Sequence, residues 1–462
     1  MTILRLLLIT SLFAVPLAAQ DDGLARSGIA DRDLSKLGKD VNAFFEALDQ
    51  DQRSDQLQSL EKIGGALGKS AKKAKVDEPL KYMGDWDYVL ETSKAPGRAV
   101  TGNYGKGFFR HVFADPWDQL ERKVVVLMSV PATAKDGRPP VVVGLKPTLG
   151  VTGKDLEEQL QSQAEAIYGG LLETHIVLLP IGLESGSGRK VETAEIDGSW
   201  MSDSGMYVFF TAYRILLEQL PFDRSRVVLD GWGEAGLDAL RLATSTPFFS
   251  GLVLRSSPVD SPEVLYANLE GVPTLYLQGA DDAAPGDLAA LTERDDVDLT
   301  VEVVDAGATA LGASDEASAA LGTWIADRKR ALAPTDFSYQ LGDVRFGSIN
   351  WCTAAVINRR VTAQPGDADF PRLTAKVDKG SNAIDIETVN VLEMFVYLSD
   401  EVVDLDKPVT IRVNGEEKVK GKVFPRALRH LLETRFFNNS GDYGLYTASV
   451  RIEEIDANLP GS

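Results

Sequence analysis

Cysteine is nearly absent from this 462-residue chain, with Cys352 the only one. No intramolecular disulfide can form, whatever the compartment. Beside Trp351, in a strand-like stretch, Cys352 reads as a small buried hydrophobe rather than a reactive thiol. Histidine is also scarce, at His111, His175 and His430. Positive charge is in deficit: 48 Lys and Arg against 68 Asp and Glu leave a net charge of −20. So acidic a surface repels phosphate backbones, which excludes nucleic acid as a partner unless basic residues concentrate somewhere. The nearest concentration, Lys69 to Lys75, closes a helical pattern and reads as a solvated helix end. There is no glycine-rich phosphate loop and no metal-ligand spacing of His and Cys, so no cofactor and no metal are expected.

What is present at the start is a targeting pattern. Arg5 supplies a positive residue, Leu6 to Val15 an apolar run, and Pro16-Leu17-Ala18-Ala19 the small residues of a cleavage site. The run is too short to span a bilayer, and no later segment is long and apolar enough to do so. Residues 1–19 are therefore expected to be a signal peptide, cut after Ala19 or Gln20. With no cysteine there to carry a lipid, the expected product is soluble, not lipid-anchored, and periplasmic or extracellular.

A chain this long, 44% hydrophobic, exceeds what one core usually serves, and two or three domains are expected. Leu34, Leu37, Val41, Phe44, Phe45 and Leu48 recur at helical spacing, and Leu57, Leu60, Ile63 and Leu67 repeat the pattern after a polar break. Residues 20–95 thus predict a helical hairpin. Over 96–333 strands and helices alternate. Val124 to Met128 and Val141 to Leu145 are strands without polar alternation, as expected where both faces are buried. Helices follow at 156–171, 205–220 and 314–333. Strands fall at 175–180, 227–229, 252–254, 274–277 and 299–304. Repeated β-α-β units of this length predict a mostly parallel sheet covered by helices. Over 334–456 short β-rich runs dominate, with Asn414-Gly415 a hairpin signal and one helix at 426–434. A small β-sandwich is expected there.

One stretch carries the chemistry. After Arg226, Val227 to Leu229 is a strand, and Asp230-Gly231-Trp232-Gly233-Glu234-Ala235-Gly236 leads into the helical Leu237-Asp238-Ala239-Leu240. Strand, sharp small-residue turn and helix in this order resemble the G-x-S-x-G nucleophile elbow of the α/β-hydrolase superfamily. Secreted esterases and prolyl-oligopeptidase-like peptidases are similar over roughly Pro96 to Ala333. The expected fold class is therefore α/β, an α/β-hydrolase-like sheet with an N-terminal helical hairpin and a C-terminal β-sandwich-like domain. The resemblance implies a nucleophile at Gly233, an acid at Asp282 after the strand Thr274 to Leu277, and a histidine at Ala308. Gly233 has no side chain and Ala308 no base. The turn after Val141 to Leu145, which should supply oxyanion donors, reads Lys146-Pro147-Thr148-Leu149-Gly150, and Pro147 has no N–H to give.

Each of these residues also has a plainer reading. Asp281 and Asp282 can cap a turn. Glu234 can face a cleft, but a nucleophilic carboxylate of this superfamily occupies the serine position itself. Lys146 can draw an anion into the former pocket or sit in an ion pair. Asp400, Glu401, Asp404 and Asp406 lack the glycine-centred spacing of a calcium loop and read as a solvated loop. The expectation is an exported pseudoenzyme without confident catalytic residues. Its pocket would be lined by Lys146, Trp232, Glu234 and Asp282, and it would bind a small ligand or an envelope protein. An active esterase or peptidase with other residues, and a structural protein of the envelope, are the alternatives.

Overall fold

The computed structural model describes residues 24–94, 96–114, 122–187, 190–196, 198–280, 288–292, 294, 297–304, 314–358, 363–437 and 444–455. The expected signal peptide, Asp282 and Ala308 lie outside the described residues. Among the described residues no helix is long and apolar enough to cross a membrane.

Nine strands form the central sheet: β1 Phe108–Ala114, β2 Lys123–Ser129, β3 Val141–Leu145, β4 Ile176–Ser187, β5 Lys190–Glu195, β6 Val227–Trp232, β7 Gly251–Arg255, β8 Thr274–Gly279 and β9 Leu299–Val304. Their order is β1-β2-β4-β3-β6-β7-β8-β9, and β5 pairs with β4 as a hairpin off that path. β1, β2 and β4 pair antiparallel. From β4 through β3, β6, β7 and β8 to β9 every pairing is parallel.

The lack of polar alternation in the sequence has a direct cause here. Val124, Val126, Val141, Val143, Val227 and Leu229 bury against the helices Asp203–Gln219 and Ala235–Ser245. Their neighbours Val125, Val142 and Val228 bury on the opposite face, against Gly153–Tyr168 and Asp315–Ile325. Side chains alternate between two faces that are both covered, so runs such as Val124 to Met128 and Val141 to Val143 are apolar throughout. The helix Asp203–Gln219 begins where the Ser202 hydroxyl accepts the Gly205 N–H at 3.1 Å, an N-cap interaction.

Three expectations need correction. β1, and the continuation of the expected strand 175–180 into the long β4–β5 hairpin, lie outside the expected strands, because charge in β1 and charge with glycine in the hairpin interrupt the apolar positions. The closing helix stops at Ile325 rather than 333, the chain leaving it through Asp327 to Arg330. The N-terminal region is more than a hairpin: helices Gly38–Asp49 and Arg53–Ala74 are joined by a third, Met83–Ser93. Trp86 of that helix is buried with Phe44 and Ile63, and Leu431 and Leu432 of the helix Leu428–Phe437 complete the cluster.

The C-terminal region contains two sheets, of five and four strands. Leu373, Ala375, Ile384, Ile386 and Ile411 of one face Cys352, Ala354, Met394 and Val396 of the other in a single core. Asn414 and Gly415 both take positive φ, 51° and 82°, as a tight hairpin turn requires. The acidic string is solvated in part: Asp406 is exposed as expected, whereas the Asp400 side chain is covered. Asp400 pairs with Arg426 at 2.5 Å, and both side chains are 7% exposed. Asp406 meets Arg426 and Lys81 at 2.8 and 2.6 Å, and Asp404 meets Lys407 at 2.9 Å. Cations of the chain itself neutralise these carboxylates, and Lys81 ties them to the N-terminal region.

Candidate functional site

At the C-terminal end of β6 the chain turns sharply into the helix Ala235–Ser245. Gly233, at the apex, has φ +52°. Its N–H donates to the Arg255 carbonyl at 2.9 Å, and its own carbonyl accepts the Gly236 N–H at 3.0 Å. The two flanking glycines are required by packing. A Cβ on Gly231 would lie 2.6 Å from the Gly236 Cα and 2.7 Å from the Ala239 Cβ, and one on Gly236 would lie 1.9 Å from the Ser257 hydroxyl. Strand and helix can approach this closely only without those side chains. Gly233 differs: a Cβ there would meet nothing within 4 Å. A sharp strand-to-helix turn thus stands at the end of a central parallel strand, with open space over its apex.

A sheet ordered β1-β2-β4-β3-β6-β7-β8-β9, antiparallel at one edge and parallel beyond, covered by helices and carrying a sharp turn after β6, is the α/β-hydrolase type of fold. No protein-family model matches the chain, and no curated protein matches it. Among solved structures it is similar to a thermostable esterase, at 15% identity over 49% of this chain and 64% of that one, TM-score 0.37. It is similar to an S-formylglutathione hydrolase from Agrobacterium tumefaciens, at 16% identity over 48% of this chain and 96% of that one, TM-score 0.36. A ferulic acid esterase shares 16% identity over 47% of this chain and 97% of that one, TM-score 0.32. The chain spans less than two thirds of the thermostable esterase's length.

Two of the three histidines, His175 and His111, lie at the sheet and far from the elbow. His175 precedes β4 at the level of Arg226, since Ile176 and Val227 both align with Val141. Gly233 is seven residues further along, or roughly 23 Å of strand. His111 lies on β1, four strand spacings from β6, or about 19 Å. His430 belongs to the helix Leu428–Phe437 of the C-terminal region. Burial lowers the pKa of all three, that of His175 to about 4.

The loop after β3 runs beside the elbow, because Leu145 pairs with Gly231. Lys146 is 2% exposed and its ammonium is ion-paired with the Glu195 carboxylate. Desolvation lowers the Lys146 pKa, and Glu195 opposes that shift. The same carboxylate accepts the Leu149 N–H at 3.1 Å and the Gly150 N–H at 2.9 Å. The indole N–H of Trp200 donates to the Lys146 carbonyl at 2.9 Å, and the Trp200 backbone N–H to Asp238 at 2.6 Å. The loop is thereby fastened to the elbow helix.

Beneath the elbow lies a buried polar chain. Arg255 donates to both oxygens of Asp230, at 2.8 to 3.1 Å, with the pair 3% and 0% exposed. Tyr168 donates its hydroxyl to Asp230 at 2.9 Å and accepts the Trp232 indole N–H at 3.0 Å. Burial, and then the Asp230 charge, hold the Tyr168 pKa well above its usual value.

Of the four residues expected to line a pocket, Trp232 and Lys146 are turned into the protein and committed to partners. Glu234 is exposed at the helix start, and Asp282 lies outside the described residues. Glu195, Tyr168, Asp230 and Arg255 escaped sequence reasoning. Only Asp230, an acid between Leu229 and Gly231 in an otherwise apolar strand, carried a signal that could have been followed.

Proposed function

We propose that this is an exported, non-catalytic protein of α/β-hydrolase fold, which binds a small ligand or an envelope protein rather than turning a substrate over. The observation that carries the reading is Gly233. The turn that would present a nucleophile is built, packed by Gly231 and Gly236, and left with open space at its apex where an attacking side chain would stand. Covalent acyl transfer needs an oxygen or sulfur nucleophile at that point and a base within hydrogen-bond reach of it. His175 and His111 are about 20 Å away along or across the strands, His430 belongs to a helix of the C-terminal region, and their lowered pKa values do not substitute for proximity. The loop expected to carry oxyanion donors supports the same reading: Pro147 has no N–H, and those of Leu149 and Gly150 are engaged by Glu195.

The test is reaction of the purified protein with a fluorophosphonate probe, together with a panel of short-chain esters. Absence of labelling and of turnover above a blank is the expected result. A labelled serine, or ester turnover that disappears when that serine is replaced, overturns the reading and makes the protein an enzyme with a displaced nucleophile.

A further inference from the structure

We propose that the loop 146–150 is a carboxylate-binding cradle and that the chain fills it with its own Glu195. The cradle is built, not incidental. Three donors from one five-residue segment converge on a single carboxylate: the Lys146 ammonium and the N–H groups of Leu149 and Gly150. Gly150 has φ +72°, and a left-handed residue at this position turns consecutive N–H groups toward one side, forming a concave anion site. Lys146 is almost fully buried and the Glu195 side chain is 8% exposed. A buried ammonium of this kind demands a counter-ion, and the segment that brings it, β5, is the one strand that lies off the sheet order.

The donor set defines the class of ligand. The Leu149 N–H is shared between both oxygens, the Gly150 N–H goes to Oε2 and the Lys146 ammonium to Oε1, so the donor set engages both oxygens of a carboxylate and its charge. A neutral carbonyl offers one oxygen and no charge, and it cannot displace an anion already seated there. Any external carboxylate competes with a group held in place by its own strand, whose effective concentration is high. The cradle is therefore closed to weak ligands while Glu195 is present, and open to small carboxylates once Glu195 is removed. This goes beyond the non-catalytic reading and is tested apart from it: labelling of a serine elsewhere would leave the cradle untouched.

The test uses the full chain carrying Glu195→Ala, titrated with sodium formate or acetate against sodium chloride at matched ionic strength and followed by thermal unfolding. The expected result is a lowered Tm that formate and acetate restore saturably in the millimolar range and chloride does not. Wild type should show no such recovery, and neither should Glu195→Ala combined with Lys146→Met. A second variant, Glu195→Gln, keeps the shape and loses the charge. Its Leu149 and Gly150 amide resonances should move on addition of formate, and this arm decides the matter if the alanine variant does not fold. Formate indistinguishable from chloride in the variants that fold would overturn the proposal.

Discussion

The Tyr168 hydroxyl reaches the Asp230 carboxylate, 2.9 Å away, through space that Gly144 leaves open. Gly144 pairs with Asp230 across β3 and β6. A Cβ on Gly144 would stand 2.8 Å from that hydroxyl and 2.3 Å from the Leu179 Cδ2. Overpacking of this degree costs about 1–3 kcal/mol, so Gly144→Ala is expected to lower the urea midpoint with an unchanged slope. Tyr168→Phe removes one donor from Asp230 and the acceptor of the Trp232 N–H. It should cost about 1–3 kcal/mol, the penalty of leaving buried polar groups unsatisfied. Equality of either variant with wild type in urea titration would show that the chain of hydrogen bonds contributes nothing.

Gly233→Ser is expected to fold and to remain inert. The open space admits the side chain, and the positive φ charges roughly 1–2 kcal/mol for a residue with a Cβ. With no histidine nearby, the new hydroxyl has no base and should neither label with a fluorophosphonate nor cleave short esters. Turnover installed by this one substitution would mean that a working base and oxyanion site survive.

His175 should give the stability an acid-side dependence. Its folded pKa is lowered from 6.5 to about 4 by burial, then by the neighbouring Arg226 charge. A depressed folded value means the unfolded chain binds the proton first. The contribution is therefore fully present above pH 6.5 and is lost as pH falls toward 4. The difference corresponds to about 3 kcal/mol. Urea titrations at pH 7 and pH 4.5 should show a smaller loss in His175→Asn than in wild type. The same loss in both would remove His175 from the account.

The N-terminal helices should be anchored through Asp87. Its carboxylate pairs with Arg224 of the hydrolase-type region and with Arg138, and the Asp87 and Arg224 side chains are 3% and 5% exposed. Asp87→Asn removes a carboxylate from the buried Arg224 guanidinium, and breaking a buried ion pair typically costs about 3–5 kcal/mol. The variant should unfold earlier in urea, and limited proteolysis should cut within residues 24–94 before the sheet. Wild-type stability together with wild-type cleavage would place the anchor elsewhere, for example at the buried Lys94, which donates to the Leu220 carbonyl at 2.8 Å.

The sheet was legible because burial on both faces writes itself as unbroken runs such as Val141 to Leu145. The elbow was legible because its packing admits only glycine at 231 and 236. What could not be read depends on residues distant in sequence. Nothing around Glu195 distinguishes it from other surface acids; its partners lie 45 to 49 residues earlier. Lys146 sat at the right place for a pocket, but the direction of its side chain is fixed by that distant carboxylate. The acidic string at 400–406 has ordinary solvated composition. Its neutralising partners, Lys81 and Arg426, come from two other segments.

The docking of the first helices on the helix Leu428–Phe437 bears on how the protein is made. The Ala25 N–H meets Glu401 across 376 residues, and Phe44, Ile63 and Trp86 share their core with Leu431 and Leu432. During synthesis these helices emerge with an apolar surface whose cover, the helix Leu428–Phe437, is translated only after the whole central sheet. Contacts of such long separation slow folding and leave that surface open to wrong partners in the meantime. A chain stopped before residue 428 would lose more than the helix Leu428–Phe437, because Phe44, Ile63 and Trp86 would lose part of their cover.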